Sequence, residues 1–192
     1  MFKQTFLLLV AIAVIARVAV AEPEYYVVDP THTFPNIEFS HMNISVWRGK
    51  FNKTTGDIML DRTAKTGTVD IKVDPASINF GLDDMDEKAR SDAFFNVAEF
   101  PDAGYRGTIQ FDGDKLVAIE GEITLLGVTR PLSLTINSFN CIQHPMLNKQ
   151  VCGADAQGEL NWSEYGMEWS KYGEGDAGRV KLQIQVEALK QE

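Results

Sequence analysis

Residues that ligate metals or act as nucleophiles are scarce in this chain. Two cysteines and three histidines occur in 192 residues, and the histidines do not cluster: His32 and His41 are nine positions apart and His144 is remote. A zinc site shows tight His or Cys pairing, which is missing here. The densest acidic run, Asp83, Asp84, Asp86 and Glu87, lacks the alternating ligands, glycine and distant Glu of a calcium loop. It reads as the solvated start of a helix, and no metal is expected. No nucleophile elbow, Walker loop or dinucleotide fingerprint occurs. Positive charge is also in deficit, with 18 Lys and Arg against 27 Asp and Glu. So acidic a chain repels polyanions, which argues against nucleic acid and anionic membrane surfaces as partners.

Long apolar runs are confined to the N-terminus. Lys3, the apolar stretch Phe6 to Ala16 and the small-x-small triplet Ala19-Val20-Ala21 have the layout of a secretory signal. The expectation is a leader over 1–21, cleavage after Ala21, and one periplasmic domain over 22–192. Arg17 breaks the apolar run short of the ~20 residues of a membrane anchor, so no stable membrane insertion is expected. Exported chains meet oxidising conditions, where Cys141 and Cys152 read as a disulfide. A loop of this size adds up to about 3 kcal/mol by the chain-entropy argument.

What the chain has in abundance is alternation. Val180, Leu182, Ile184, Val186 and Ala188 share one parity; Lys181, Gln183, Gln185 and Glu187 share the other. Such a strand has one dry and one wet face. Further strands are expected at Tyr25–Val28, Ile37–His41, Val46–Phe51, Gly56–Leu60 and around Val69, Ile71 and Val73. Tyr105, Gly107, Ile109 and Phe111 mark the next, then Val117, Ile119, Gly121, Ile123 and Leu125 after the Asp112-Gly113 turn. A tight turn at Leu126-Gly127 leads to Leu132, Leu134 and Ile136, and Ala154 to Trp162 follows the cysteine loop. Tyr165 to Gly178 reads as a loop. One interval departs from the pattern: Asp84 with Glu87 resembles a capping box, opening a short helix near residues 84–95. Many two-faced strands must close into a barrel or stack as a sandwich.

The motifs Asp29-Pro30-Thr31-His32-Thr33-Phe34, Phe39-Ser40-His41-Met42 and Trp47-Arg48-Gly49-Lys50-Phe51 open the chain. The run Asp86 to Asn96 with Phe100-Pro101, the hairpin Gly121 to Pro131, and Cys141 to Gly153 follow in order. Together they resemble the YceI-like family of exported polyisoprenoid-binding, lipocalin-like proteins, in its cysteine-bearing subset. Lys88-Ala89, Ala93, Leu126-Gly127 and Trp162 (where an arginine is common) depart from that pattern. The resemblance implies an all-β fold: an eight-stranded antiparallel lipocalin-like barrel with a tunnel for a long isoprenoid or similar amphiphile.

The expected function is non-enzymatic, needs no cofactor, and holds a quinone, polyprenyl lipid or related ligand for transport, storage or sequestration. Candidate lining residues are Phe39, Val69, Ile71, Tyr105, Ile109, Phe111, Ile119 and Ile123, then Leu134, Ile136, Leu160, Trp162, Leu182, Ile184 and Val186. Phe94 and Phe95 are candidates to gate one end. His32, His41, Arg48, Arg90 and Arg130 are the candidates to meet a head group, although ion pairing, such as Arg90 with Asp86, competes for the arginines. Two other readings stay open: a metal or enzyme site built on His32 and His41 at the barrel mouth, or a solid barrel acting in a stress response through its outer surface. Homodimer formation also stays open.

Overall fold

The computed structural model describes residues 22–167 and 178–192; the expected leader and most of the expected 165–178 loop lie outside them. The described residues form eleven strand segments and one α-helix. These are β1 (Glu24–Val28), β2 (Phe34–His41), β3 (Ser45–Phe51), β4 (Thr54–Asp61), β5 (Thr66–Val73), β6 (Ile78–Asn79), α1 (Asp83–Arg90), β7 (Ala103–Asp112), β8 (Lys115–Leu125), β9 (Val128–Gln143), β10 (Gln150–Asn161) and β11 (Arg179–Lys190).

Eight of the segments close a ring in the order β1, β4, β5, β7, β8, β9, β10, β11, with β11 returning to β1. All these pairings are antiparallel. The eight-stranded antiparallel barrel is therefore present. Two of its strands are long and broken at a proline. β1 continues into β2 past Pro30, and β5 into β6 through a 3-10 turn at Pro75–Ser77. Proline cannot donate to a ladder, so the chain bends where each one stands. At the second break the Asp74 side chain accepts from the Ala76 N–H at 2.9 Å. Beyond the breaks, β2, β3 and β6 extend from β11 as a flap.

Two features depart from the sequence reading. The helix starts at Asp83 and stops at Arg90; its N-cap is Leu82, without a side-chain cap, and no Asp84–Glu87 box forms. Instead Asp86 is buried and accepts the Phe80 N–H at 2.6 Å, so it is not the partner of Arg90, which donates to the Ala76 carbonyl at 3.3 Å. The Ser91 hydroxyl donates to the Lys88 carbonyl at 2.7 Å, a local bond that competes with another helical turn. Phe94 and Phe95 consequently sit in the turn after the helix. Second, a bulge where Gln110 pairs with Ala118 but Phe111 with Leu116 reverses the parity of β8, so Leu116 faces inward there and Val117 does not. At Leu126-Gly127 both φ angles are positive, 51° and 73°, as a type I′ hairpin requires. Leu126 tolerates this unfavourable conformation while packing on the apolar cluster beside it.

The core lies at the two ends of the barrel. At the helix end, Phe39, Phe51, Phe94, Phe95, Trp162, Met85 and Ala89 pack together. At the disulfide end, Tyr26, Leu60, Val69, Ile109, Cys152 and Ala188 do so. Cys141 and Cys152 face one another across β9 and β10 and are bonded. A polar latch covers this end. The Tyr26 hydroxyl reaches Glu24 at 2.9 Å and Gln150 at 2.8 Å, Lys190 donates to Glu24, and an Arg62 Nη donates to the Cys141 sulfur at 2.7 Å.

The wall between the ends is tight where β7 meets β8. Gly107 and Gly121 are register partners on β7 and β8. A Cβ on Gly121 would fall 2.3 Å from the Arg106 carbonyl oxygen and 2.8 Å from the Tyr105 hydroxyl. Gly121→Ala is therefore expected to lower stability by about 1–3 kcal/mol through overpacking, read from the urea midpoint; an unchanged midpoint would show that the strands can part there. The latch generates a pH prediction. The Lys190 ammonium, with help from Tyr26 and Arg62, holds the Glu24 carboxyl below its ordinary value against the opposing effect of burial. Its stabilisation is present above the unfolded carboxylate pKa and is lost as pH falls through the lower folded value. Glu24→Gln should thus be less stable than the parent at pH 7, with the difference shrinking below about pH 4.5, as followed by urea melts from pH 7 to 3.

Candidate functional site

Alternation puts the apolar residues of every barrel strand inside, but they do not fill the interior. A cavity of about 190 Å³ runs from Tyr26, Leu116, Phe139 and Cys152 at one end to Phe51, Phe95 and Trp162 at the other. An apolar cavity of ~150 Å³ in an engineered protein core stays dry and accepts benzene, so this one has room for a ligand. The solid-barrel reading does not survive. Space is left because β10 contributes Gly153, Ala154 and Ala156 to the wall. Gly158, on the same face, instead lets β9 approach: a Cβ there would lie 2.6 Å from Leu134 Cδ2.

No lining residue carries a charge. The side-chain hydroxyls on the wall are those of Thr33, Thr54, Tyr26 and Tyr105, and Trp162 adds an indole N–H. Thr33 bridges the β1–β2 break to β11: its hydroxyl donates to the Glu187 carbonyl and accepts the Glu187 N–H, both at 3.1 Å. Tyr105 reaches the carbonyls of Leu132 at 3.0 Å and Ile119 at 3.2 Å. Burial pushes the hydroxyl pKa of both tyrosines upward, Tyr26 to about 12 with Glu24 as a further cause. Both phenols are therefore neutral at physiological pH.

Of the candidate lining residues, Val69, Ile71, Tyr105, Ile109, Ile119, Ile123, Leu134 and Ile136 lie on the cavity wall. So do Leu160, Trp162, Leu182, Ile184, Val186 and Phe95. Three do not. Phe39 is buried but packs behind Trp162, ring centroids 4.9 Å apart, and against Trp47 and Phe80. Phe94 is turned away after the short helix, under the Lys88 ammonium at 5.8 Å. Phe111 stands at the β7–β8 bulge, packed on the disulfide-end cluster, and Leu116 takes the wall position. Trp162 itself begins a 3-10 turn rather than ending β10. Wall residues missed from the sequence include Tyr26, Ile37, Phe51, Ile58, Leu60 and Leu132. Ile58 and Leu60 share a parity in β4, a signal that was available; Thr33 and Thr54 are polar and gave none.

The head-group candidates are not gathered at a rim. His32 Nδ1 lies 2.8 Å from Asp29 Oδ2 in the exposed β1–β2 turn, and that carboxylate raises its pKa. His41 stacks on Trp47 at 4.7 Å. Arg48 pairs with Glu38 across β2 and β3 at 3.0 Å, Arg90 bonds the Ala76 carbonyl, and Arg130 is exposed on β9. None of these side chains lines the cavity. His32 precedes β2 and His41 ends it, so the eight-residue strand separates them by roughly 23 Å at ~3.3 Å per step. They cannot share a metal ion, which removes the site built on that pair.

A sequence model of the YceI-like domain matches residues 26–188. A UPF0312 protein of Shewanella denitrificans is 29% identical over 170 residues, covering 86% of this chain and 87% of the relative. Among solved structures, the Campylobacter jejuni YceI protein superposes with a TM-score of 0.63 at 21% identity, covering 80% of this chain and 90% of its own. A polyisoprenoid-binding domain from Saccharophagus degradans, implicated in plant cell wall breakdown, gives 0.56 at 16% identity over 85% of this chain and 97% of its own. At those identities the structures speak to the fold. The domain match extends across almost the whole described chain, from β1 to β11, and on that ground the protein belongs to the YceI-like family.

Proposed function

We propose that this protein is a periplasmic carrier that holds one long-chain isoprenoid, a quinone or polyprenyl lipid, inside its barrel. The observation that carries the reading is the uncharged cavity running from the helix end to the disulfide end. Burying a methylene contributes ~0.8 kcal/mol. Roughly ten such groups supply up to ~8 kcal/mol before association costs, enough for micromolar binding without any ionic contact. Membership of the YceI-like family, and the polyisoprenoid-binding domain among the structures of the same fold, support the same ligand class. The leader motif over 1–21 supports export, and the acidic surface suits a protein that stays off anionic membranes. Holding a lipid requires no bond to be made or broken, so no catalytic group is assigned.

Native mass spectrometry of the protein purified from its own compartment, followed by organic extraction, should release an isoprenoid in near-stoichiometric amount. Protein that is empty and also ignores added quinone and polyprenol would overturn the proposal. Ala156, buried on the cavity wall between Ile136 and Ile184, offers a blocking variant. Ala156→Phe should fill the space with one ring and lower uptake of a fluorescent isoprenoid analogue tenfold or more, while the circular dichroism spectrum and urea midpoint stay near those of the parent.

A further inference from the structure

We propose that Thr54 is the hydrogen-bonding subsite of the cavity and takes an uncharged oxygen of the ligand: a hydroxyl, carbonyl or ether. This rests on the carrier reading above and specifies its ligand further. Thr54 opens β4, with Ile58 and Leu60 on the same inward parity, and is 1% exposed. Its Oγ1 is a buried side-chain oxygen with no hydrogen-bond partner among the described residues. The other hydroxyls of the wall are engaged: Thr33 with Glu187, Tyr105 with Ile119 and Leu132, Tyr26 with Glu24 and Gln150. An unsatisfied buried hydroxyl is destabilising, and an apolar group of the same shape would avoid that penalty. Valine would serve as well for packing, so the hydroxyl points to a partner arriving from the cavity.

The position also orients the ligand. The register partner of Thr54 is Val73, the last residue of β5. Three residues earlier, Phe51 packs edge-on against Phe95, centroids 5.5 Å apart. The oxygen is therefore seated toward the helix end, and the tail runs toward Tyr26. With no charged residue on the wall, a phosphate brought inside would lose its hydration without compensation. A threonine hydroxyl both donates and accepts, which suits an alcohol and a quinone carbonyl alike.

The test compares geranylgeraniol, the saturated hydrocarbon phytane and geranylgeranyl phosphate on the full exported protein and on Thr54→Val and Thr54→Ser. The parent should bind the alcohol roughly threefold to tenfold more tightly than the hydrocarbon, the effect of one net hydrogen bond. Thr54→Val should abolish that preference while its ligand-free Tm equals or exceeds the parent's, and Thr54→Ser should keep it. Equal preference in the parent and Thr54→Val, or tightest binding by the phosphate with no effect of either substitution, overturns the assignment but leaves the carrier reading standing. Failure of all three probes to bind the parent overturns both.

Discussion

Everything in this molecule depends on the antiparallel ladder by which its last strand meets its first. β11 pairs with β10 along its whole length and, on its other edge, with β2 from Val180 to Gln185 and with β1 from Ala188 to Lys190. Without that seam the sheet would expose two unpaired edges and a continuous apolar face, both of which invite aggregation. With it, every inward side chain of the ring is removed from water together. The seam is uneven because the first strand is broken at Pro30, and Thr33 repairs the gap by bonding both backbone groups of Glu187. The Glu187 carbonyl also takes the Asp29 N–H at 2.8 Å, so what the buried threonine chiefly restores is a partner for the Glu187 N–H.

Closure alone does not make a hollow. Eight strands give an interior that large side chains can fill, and here they do so only at the ends. Phe51, Phe95 and Trp162 meet edge to face at the helix end, while Tyr26 and the disulfide occupy the other. Between them the alanines of β10 keep the centre open. The bulges do related work. One extra residue on β8 and another on β9 reverse the parity of those strands near the disulfide end, placing Leu116 instead of Val117 on the wall and bringing Phe139 onto it.

The sequence disclosed this architecture unevenly, and the physical reason differs from residue to residue. Strands with one wet and one dry face declare themselves by parity, so β11, β5 and the centres of β7, β8 and β9 were legible. Phe111 and Val117 were not, because a bulge depends on the partner strand and leaves no local mark. Phe39 has the inward parity assigned to it, yet Trp162 stands between it and the cavity, a tertiary relation that parity does not contain. The helix was legible by its charge pattern, but its length was decided by the Ser91 hydroxyl closing on Lys88. His41, Arg48 and Arg90 were the least legible, since each finds a neighbour outside the cavity that the sequence places at no special spacing. Arg48 and Glu38 meet only through the register of β2 and β3.

The partition of charge follows from the same closure and bears on the ligand. Among the described residues, acidic and basic side chains stay off the cavity wall, because an unpaired charge inside an apolar barrel costs more than packing can return. Asp86, the buried carboxylate near the helix end, is directed at the Phe80 N–H and not at the cavity. Trp162 forms part of the wall at the helix end, where its indole extends the apolar surface. Among the described residues, Thr54 carries the one unengaged hydroxyl of that wall. For the ligand proposed above, a wall this poor in polar contacts leaves tail length against cavity length, and one hydrogen bond, as the grounds of selectivity, since the wall itself offers no charge.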